Sequence, residues 1–167
     1  YKDIDKADHV LLVGFEPEEE SPIVFLRLNK QVKKRKLKVT SIGTKLSIAV
    51  EKLGATFVKV APGSESAAIA SQSLTAQSLI LVGERASESA GALSAVAALA
   101  AQSGAKFAWI PRRAGERGAL EAGAIGNLLP GGRPVTDAAA RVDLASAWSV
   151  ASVPASVGRS THEIISA

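Results

Sequence analysis

The chain is 167 residues long with a formal net charge of +4, and 47% of it is hydrophobic against 22% charged. That balance fits a globular chain of one-domain length and excludes a disordered one. The absence of cysteine excludes a disulfide framework, thiolate zinc, cysteine-held iron–sulfur clusters and a cysteine nucleophile within these residues, and two separated histidines, His9 and His162, cannot build a histidine-rich metal site.

No segment has the pattern of a signal peptide or of an 18-residue apolar span; the Ala-rich stretch from Ser89 to Ala105 lies between two strand signals and reads as a helix. The chain starts at Tyr1 and holds no methionine, so it is expected to be cut from something longer. The positive charge is concentrated in Lys30, Lys33, Lys34, Arg35, Lys36 and Lys38, at the end of an expected helix, where cations complement the negative end of the dipole. A nucleic-acid surface needs stacking aromatics among its basic residues, and aromatics are 4% of the chain, so no nucleic-acid partner is expected.

Taken in chain order, the first apolar run, His9 to Val13, stops at Gly14 and predicts a strand buried on both faces. The loop Phe15-Glu16-Pro17-Glu18-Glu19-Glu20 follows. Ser21 and Pro22 suit the N-cap and first turn of a helix, whose apolar face is Val24, Phe25, Leu28 and Val32. Lys38 to Ile42 predicts the second strand. Leu46, Ala49, Val50 and Leu53 follow a helical period that Gly54 ends. Thr56 to Val60 predicts a third strand, and Glu65 to Leu74 a weaker helix.

The pattern then restarts. Leu79 to Val82 stops at Gly83 as the first strand stopped at Gly14. A helix over Ser87 to Gln102 carries Leu93, Val96, Ala97 and Ala100. Gly104-Ala105-Lys106-Phe107 echoes Gly54-Ala55-Thr56-Phe57, and Phe107 to Ile110 predicts a fifth strand. Alternating strands and helices imply an α/β fold: a Rossmann-like, three-layer α/β/α domain with a mainly parallel sheet, in the order 3-2-1-4-5 that two echoing halves produce.

From Pro111 to Thr136 nine Gly and Pro positions, with Arg112 and Arg113, break the pattern, and a stretch this irregular signals a binding loop or a partner contact. A short helix is expected near Ala119. Another spans Ala138 to Ser149, with Leu144 and Trp148 inward, and a terminal helix fits Thr161 to Ser166. The whole reads as one domain: a sheet core over 1–110 and an irregular Gly/Pro-rich extension over 111–167. Trp109 and Trp148 are expected in the core.

Ligands of such sheets sit beyond the strand carboxyl ends where the order reverses. Here that crevice is expected between the loops after the first and fourth strands, with Gly14, Glu16 and Pro17 on one side, Gly83 and Arg85 on the other, and Arg112 and Arg113 on the same edge. The residues argue against a phosphate there. No G-x-G-x-x-G follows the first strand and no G-x-x-x-x-G-K-[ST] exists. Glu16, Glu18, Glu19 and Glu20 precede the helix at Pro22. A helix N-terminus attracts an anion by about 0.3–1 kcal/mol, whereas each carboxylate at ~4 Å repels it by roughly 1–4 kcal/mol. These glutamates read as solvated rather than as an acid–base pair. No G-x-S-x-G elbow occurs, both histidines read as structural or exposed, and no catalytic constellation or metal site assembles.

Ala7-Asp8-His9-Val10-Leu11-Leu12-Val13-Gly14-Phe15-Glu16-Pro17, continuing through Ser21-Pro22-Ile23-Val24 and Arg27, resembles the strand–loop–helix of the molybdopterin oxidoreductases, the family of formate dehydrogenases and DMSO reductase, whose loop usually reads Gly-x-Asn-Pro. Gly118 to Gly131, ending Leu129-Pro130-Gly131, is similar to the family's glycine-rich segment. With Trp148, Val153-Pro154 and Gly158 the resemblance covers most of the chain. Phe15 to Glu20 and Arg113 to Glu121 look most like the branch of the family that forms part of the iron–sulfur subunit of bacterial NADH-quinone oxidoreductases (respiratory complex I), in its actinobacterial form.

The departures carry equal weight. The loop Asn that helps hold the pterin guanine dinucleotide is Glu16 here, the acidic or Asp-Pro-Arg element after the second strand is Ser41-Ile42-Gly43-Thr44-Lys45, and Gly126 stands where the family often has Pro. Gly14, Pro17 and Leu129-Pro130-Gly131, which shape backbone, are kept. The resemblance therefore implies a non-catalytic scaffold with a degenerate molybdopterin site and no cofactor of its own. Iron–sulfur clusters would sit elsewhere in the parent chain. The partners implied are the rest of that chain and the other peripheral-arm subunits, on the cytoplasmic side of the cell membrane without insertion. Two alternatives remain open: part of an active molybdopterin guanine dinucleotide-dependent oxidoreductase, with Arg85, Arg112 and Arg113 on the cofactor's phosphates, or a nucleotide-binding module.

Overall fold

The computed structural model describes all 167 residues, which form two compact units, Tyr1–Arg112 and Arg113–Ala167. The first is built on a parallel sheet of β1 (His9–Val13), β2 (Lys38–Gly43), β3 (Thr56–Lys59), β4 (Leu79–Gly83) and β5 (Lys106–Ile110) in the order β3-β2-β1-β4-β5, the order expected from the repeat. Parallel neighbours require a crossover after each strand, and the helices supply it. Register sets Val10 beside Val39 and Leu79, and Val13 beside Ile42 and Val82. Because side chains alternate across a strand, β1 feeds both faces, which explains its unbroken apolar run.

One face is covered by α1 (Lys2–Lys6), α3 (Pro22–Arg35) and α4 (Ile48–Lys52). Ile4, Val24, Phe25, Leu28, Ala49 and Leu53 are buried there on Val10, Leu12, Val39, Leu79 and Leu81. The other is covered by α5 (Glu65–Ala70) and α6 (Ala92–Ser103), with Ile69, Val96, Leu99 and Ala100 on Leu11, Val13, Ile42, Ile80 and Val82. The cations at the end of α3 lie in its last turn, followed by Lys36 in the left-handed conformation that closes the helix. Gly54 and Gly104 play the same part after α4 and α6, with φ of +58° and +71°, so the echoed glycines mark one recurring device.

Several helices differ from the expected spans. Leu46 is 44% exposed and precedes α4, which starts after Ser47 because its hydroxyl accepts from Val50 N–H at 3.2 Å. The stretch after β4 begins as a 3₁₀ turn, Glu84–Glu88, and α6 starts only beyond Gly91; its buried face is Ala92, Val96, Leu99 and Ala100, with Leu93 43% exposed off that face. α5 stops at Ala70, short of Leu74. Two short helices were not expected: α1, and α2 (Pro17–Glu20), which occupies the acidic loop with Pro17 in its first turn.

The tryptophans are not core residues. Trp109 is 43% and Phe107 56% exposed, because β5 is an edge strand and the face they share lies at the margin of the α6 layer. Trp148 is 57% exposed at the last turn of α8 (Ala138–Trp148), whose inward face ends at Leu144. The second unit has a small core of Leu129, Val135, Ala140 and Leu144, too short to reach that turn.

The irregular stretch is ordered within this unit. α7 (Glu116–Glu121) leads to a hairpin of β6 (Leu128–Leu129) and β7 (Arg133–Pro134), and Gly131 N–H donates to Glu121 O at 2.7 Å. Asp137 caps α8 by accepting from Ala139 and Ala140 N–H at 2.9 and 3.2 Å. A capping box of Ser160 and Glu163 opens α9 (Thr161–Ile165). No helix of the chain is long and apolar enough to cross a membrane.

Candidate closed crevice at the strand ends

The sheet order reverses between β1 and β4, so the loops after these strands define the crevice where an open α/β sheet binds ligands. In this chain the two loops touch. Gly14 leaves β1 with φ +56°, and a Cβ there would stand 2.4 Å from Ala86 N. A Cβ on Gly83 would stand 2.3 Å from Gly14 O and 2.9 Å from Phe15 Cα. Neither glycine leaves room for a side chain; each lets one loop lie backbone-to-backbone on the other. Phe15 and Pro17 are buried below.

The acidic loop adds a buried carboxylate beside this contact. α2 places Glu20 one turn after Glu16, with Glu20 N–H donating to Glu16 O at 2.9 Å. That turn carries the Glu20 side chain inward, where it is 5% exposed, and Arg85 Nη2 lies 2.7 Å from its Oε1. The pair is an ion contact without hydrogen-bond alignment, because both Glu20 oxygens, and Glu16 Oε1, are buried with no hydrogen-bond partner. Burial pushes the Glu20 carboxyl above the usual range, with Glu16 adding repulsion; Arg85, the Glu16 backbone and Arg112 pull the other way without cancelling it. Glu18 turns outward to Lys52 Nζ at 2.7 and 2.9 Å, and Glu19 is exposed. The expectation that this loop is a solvated acidic surface therefore holds for Glu19 and fails for Glu20. Pro17 followed by acids is a helix-start signal that sets Glu16 and Glu20 on one face, without marking that face as the buried one.

The other expected crevice residues are distributed unevenly. Arg85 is half-exposed and faces Glu20. Arg112 is exposed on the same strand edge; its N–H donates to Glu84 Oε1 at 3.4 Å. Arg113 belongs to the second unit, where its guanidinium lies 3.6 Å from Glu116. His9 shares a 2.8 Å hydrogen bond with Thr40 at the opposite end of the sheet, its imidazole pushed below the usual value by burial against the opposing pull of Asp8, and His162 is exposed.

The Glu20 shift has a measurable consequence. A carboxyl whose folded value is raised costs stability while ionised in both states, and the folded state regains that cost on binding its proton as pH falls through the raised value. Glu20→Gln removes the buried charge, so thermal unfolding near pH 8 is expected to give a higher Tm for the variant, with the gap closing on acidification. A lower Tm at that pH would show that the Arg85 contact outweighs burial.

Open space remains beside this contact, as a cleft of about 910 Å³ over the ends of β1 and β2 that Gly14, Glu16 and Arg85 also line. Five carboxylates (Glu16, Glu18, Glu19, Glu65, Glu88) line it against three cations (Lys45, Lys52, Arg85). Lys52 and Arg85 are already paired, leaving Lys45 alone for an incoming phosphate. Gly43-Thr44-Lys45 offers no carboxylate to a ribose hydroxyl at the end of β2. A pterin guanine dinucleotide carries phosphates and ribose, so these residues do not fit it. No group of three or more His, Cys, Asp or Glu side chains could hold a metal ion.

A family model described as molybdopterin oxidoreductase matches residues 1–142. The chain is 46% identical over 175 aligned residues to the NADH-quinone oxidoreductase G subunit of Mycobacterium bovis, with the same identity to that of Mycobacterium tuberculosis, and 45% identical over 183 residues to that of Streptomyces coelicolor. These alignments take in all of this chain but 22% of each relative, so it spans about a fifth of their length. With the match covering both the parallel sheet and the start of the second unit, the chain belongs to the molybdopterin oxidoreductase family.

Proposed function

We propose that the chain is the molybdopterin-oxidoreductase-like region of an NADH-quinone oxidoreductase G subunit, retained as a non-catalytic scaffold with a degenerate cofactor site, closed where its β1 and β4 loops meet. The observation that carries this reading is the closure itself: the loop glycines that could cradle a phosphate instead pack against each other's loops, and the buried Glu20 carboxylate stands beside them. The identity to actinobacterial G subunits over the whole chain supports the placement in that complex.

On this reading electrons pass from NADH towards quinone through iron–sulfur clusters held elsewhere in the parent polypeptide, and these residues shape and shield the peripheral arm. Partners are the rest of that polypeptide and the neighbouring peripheral-arm subunits, on the cytoplasmic side of the membrane. Gly14, Glu16, Pro17, Gly83, Arg85, Arg112 and Arg113 mark a vestigial crevice rather than a working one.

The test is elemental and nucleotide analysis of the full-length parent purified with its partners. Iron and NADH oxidation are expected without molybdenum or released guanine nucleotide, and Glu16→Asn, which restores the family's loop residue, is expected to leave NADH oxidation unchanged. Molybdenum and guanine nucleotide in equal, stoichiometric amounts would overturn the reading and make this part of a molybdenum active site.

A further inference from the structure

The closed crevice leaves one cation with an unusual partner. Arg85 follows β4 at the point where the sheet order reverses, where an oxyanion would meet the strand ends. Its guanidinium is half-exposed, yet it lies 2.7 Å from a carboxylate that is only 5% exposed and accepts no well-aligned hydrogen bond. A surface ion pair has no need to bury one partner, and doing so strips the carboxylate of water that a single unaligned contact does not replace. Solvated alternatives are close by: Glu18 and Glu19, on the same turn, are at the surface.

From this placement we propose that Arg85 is the remnant of an anion subsite whose occupant is the chain's own Glu20 carboxylate, standing where a phosphate-type oxyanion would otherwise bind. The inference rests on the closed-crevice reading above and adds a specific agent to it. Arg112, exposed on the neighbouring strand end, adds positive field to the same carboxylate. The backbone contact of Gly14 and Gly83 shuts the junction of the two loops, and Glu20 neutralises the cation on the β4 side, so the junction is closed by shape and the subsite beside it by charge.

The two closures separate experimentally. In the full-length parent, modification of Arg85 by an arginine-selective dicarbonyl reagent is followed by peptide mass spectrometry, with and without millimolar inorganic pyrophosphate. Arg27, paired with Asp5 at 2.7 Å on another part of the unit, serves as the reference site. In the unaltered protein, Arg85 is expected to react slowly and pyrophosphate to make no difference. In Glu20→Gln, Arg85 relative to Arg27 is expected to react about two- to fivefold faster, the equilibrium factor of a partly exposed ion pair, and pyrophosphate to restore the slow rate. Glu20→Asp, which keeps the charge on a shorter arm, is expected to fall between. Equal Arg85 rates in all three proteins would overturn the Glu20 assignment while leaving the scaffold reading intact. Pyrophosphate protection in the unaltered protein would overturn both, because the subsite would then be open.

Discussion

Gly14→Ala is expected to be among the most damaging single-methyl changes in the chain, lowering stability by about 2–5 kcal/mol. Two costs add. The φ of +56° is disfavoured for a residue with a Cβ by roughly 1–2 kcal/mol. The new methyl would lie 2.4 Å from Ala86 N, with Ala86 Cα at 2.9 Å and Arg85 C at 3.0 Å, so backbone must move; overpacking of this kind costs about 1–3 kcal/mol. Gly54→Ala isolates the first cost, since its φ is +58° and no atom lies within 4 Å of the built Cβ. Urea unfolding at constant m compares the two. A Gly14→Ala loss no larger than that of Gly54→Ala would mean that the β1 and β4 loops separate freely, and the closed crevice would lose its physical basis. Gly83→Ala is the reciprocal case, free of positive φ but 2.3 Å from Gly14 O.

The strand order was legible because the apolar runs ending in Gly14 and Gly83 announce two copies of one unit, and parallel connectivity then leaves few ways to arrange five strands. The residues that place the closure were less visible. That Gly14 and Gly83 are glycines is plain, but that each is required by the other depends on a contact between loops almost 70 residues apart, which no local pattern encodes. Glu20 sits in a run of three glutamates of one type; only the four-residue helix from Pro17 separates the buried member from its exposed neighbours, and a segment that short has no apolar period to reveal it. The tryptophans show the converse limit. Trp109 has the type of a core residue and alternates correctly along β5, yet burial depends on what covers an edge strand, which lies outside its own sequence.

The helix that turns back from this loop is where sequence pattern and energetics agree most closely, and it carries the other large expected effect. Leu28 is fully buried on α3, facing Val10, Leu12 and Val39 together with Val24 and Phe25. Replacing it by Ala removes three heavy atoms from a packed layer between helix and central strand, with a loss of about 2–5 kcal/mol. At ~2–4 °C per kcal/mol for a chain of this size, Tm should fall by roughly 4–20 °C. Leu26, two residues earlier on the same helix and 58% exposed, gives the contrast: Leu26→Ala is expected to stay within ~0.5 kcal/mol. The two substitutions delete the same atoms at nearly equal helix propensity cost, so their difference measures burial alone. Similar losses at both positions would mean that α3 is not held by its apolar face. The loop that α3 anchors, with Glu20 at its end, would then have no fixed place over the strand ends. A large loss confined to Leu28 ties the closure of the crevice to the same apolar stripe that the four-residue spacing of Val24, Leu28 and Val32 announces in the sequence.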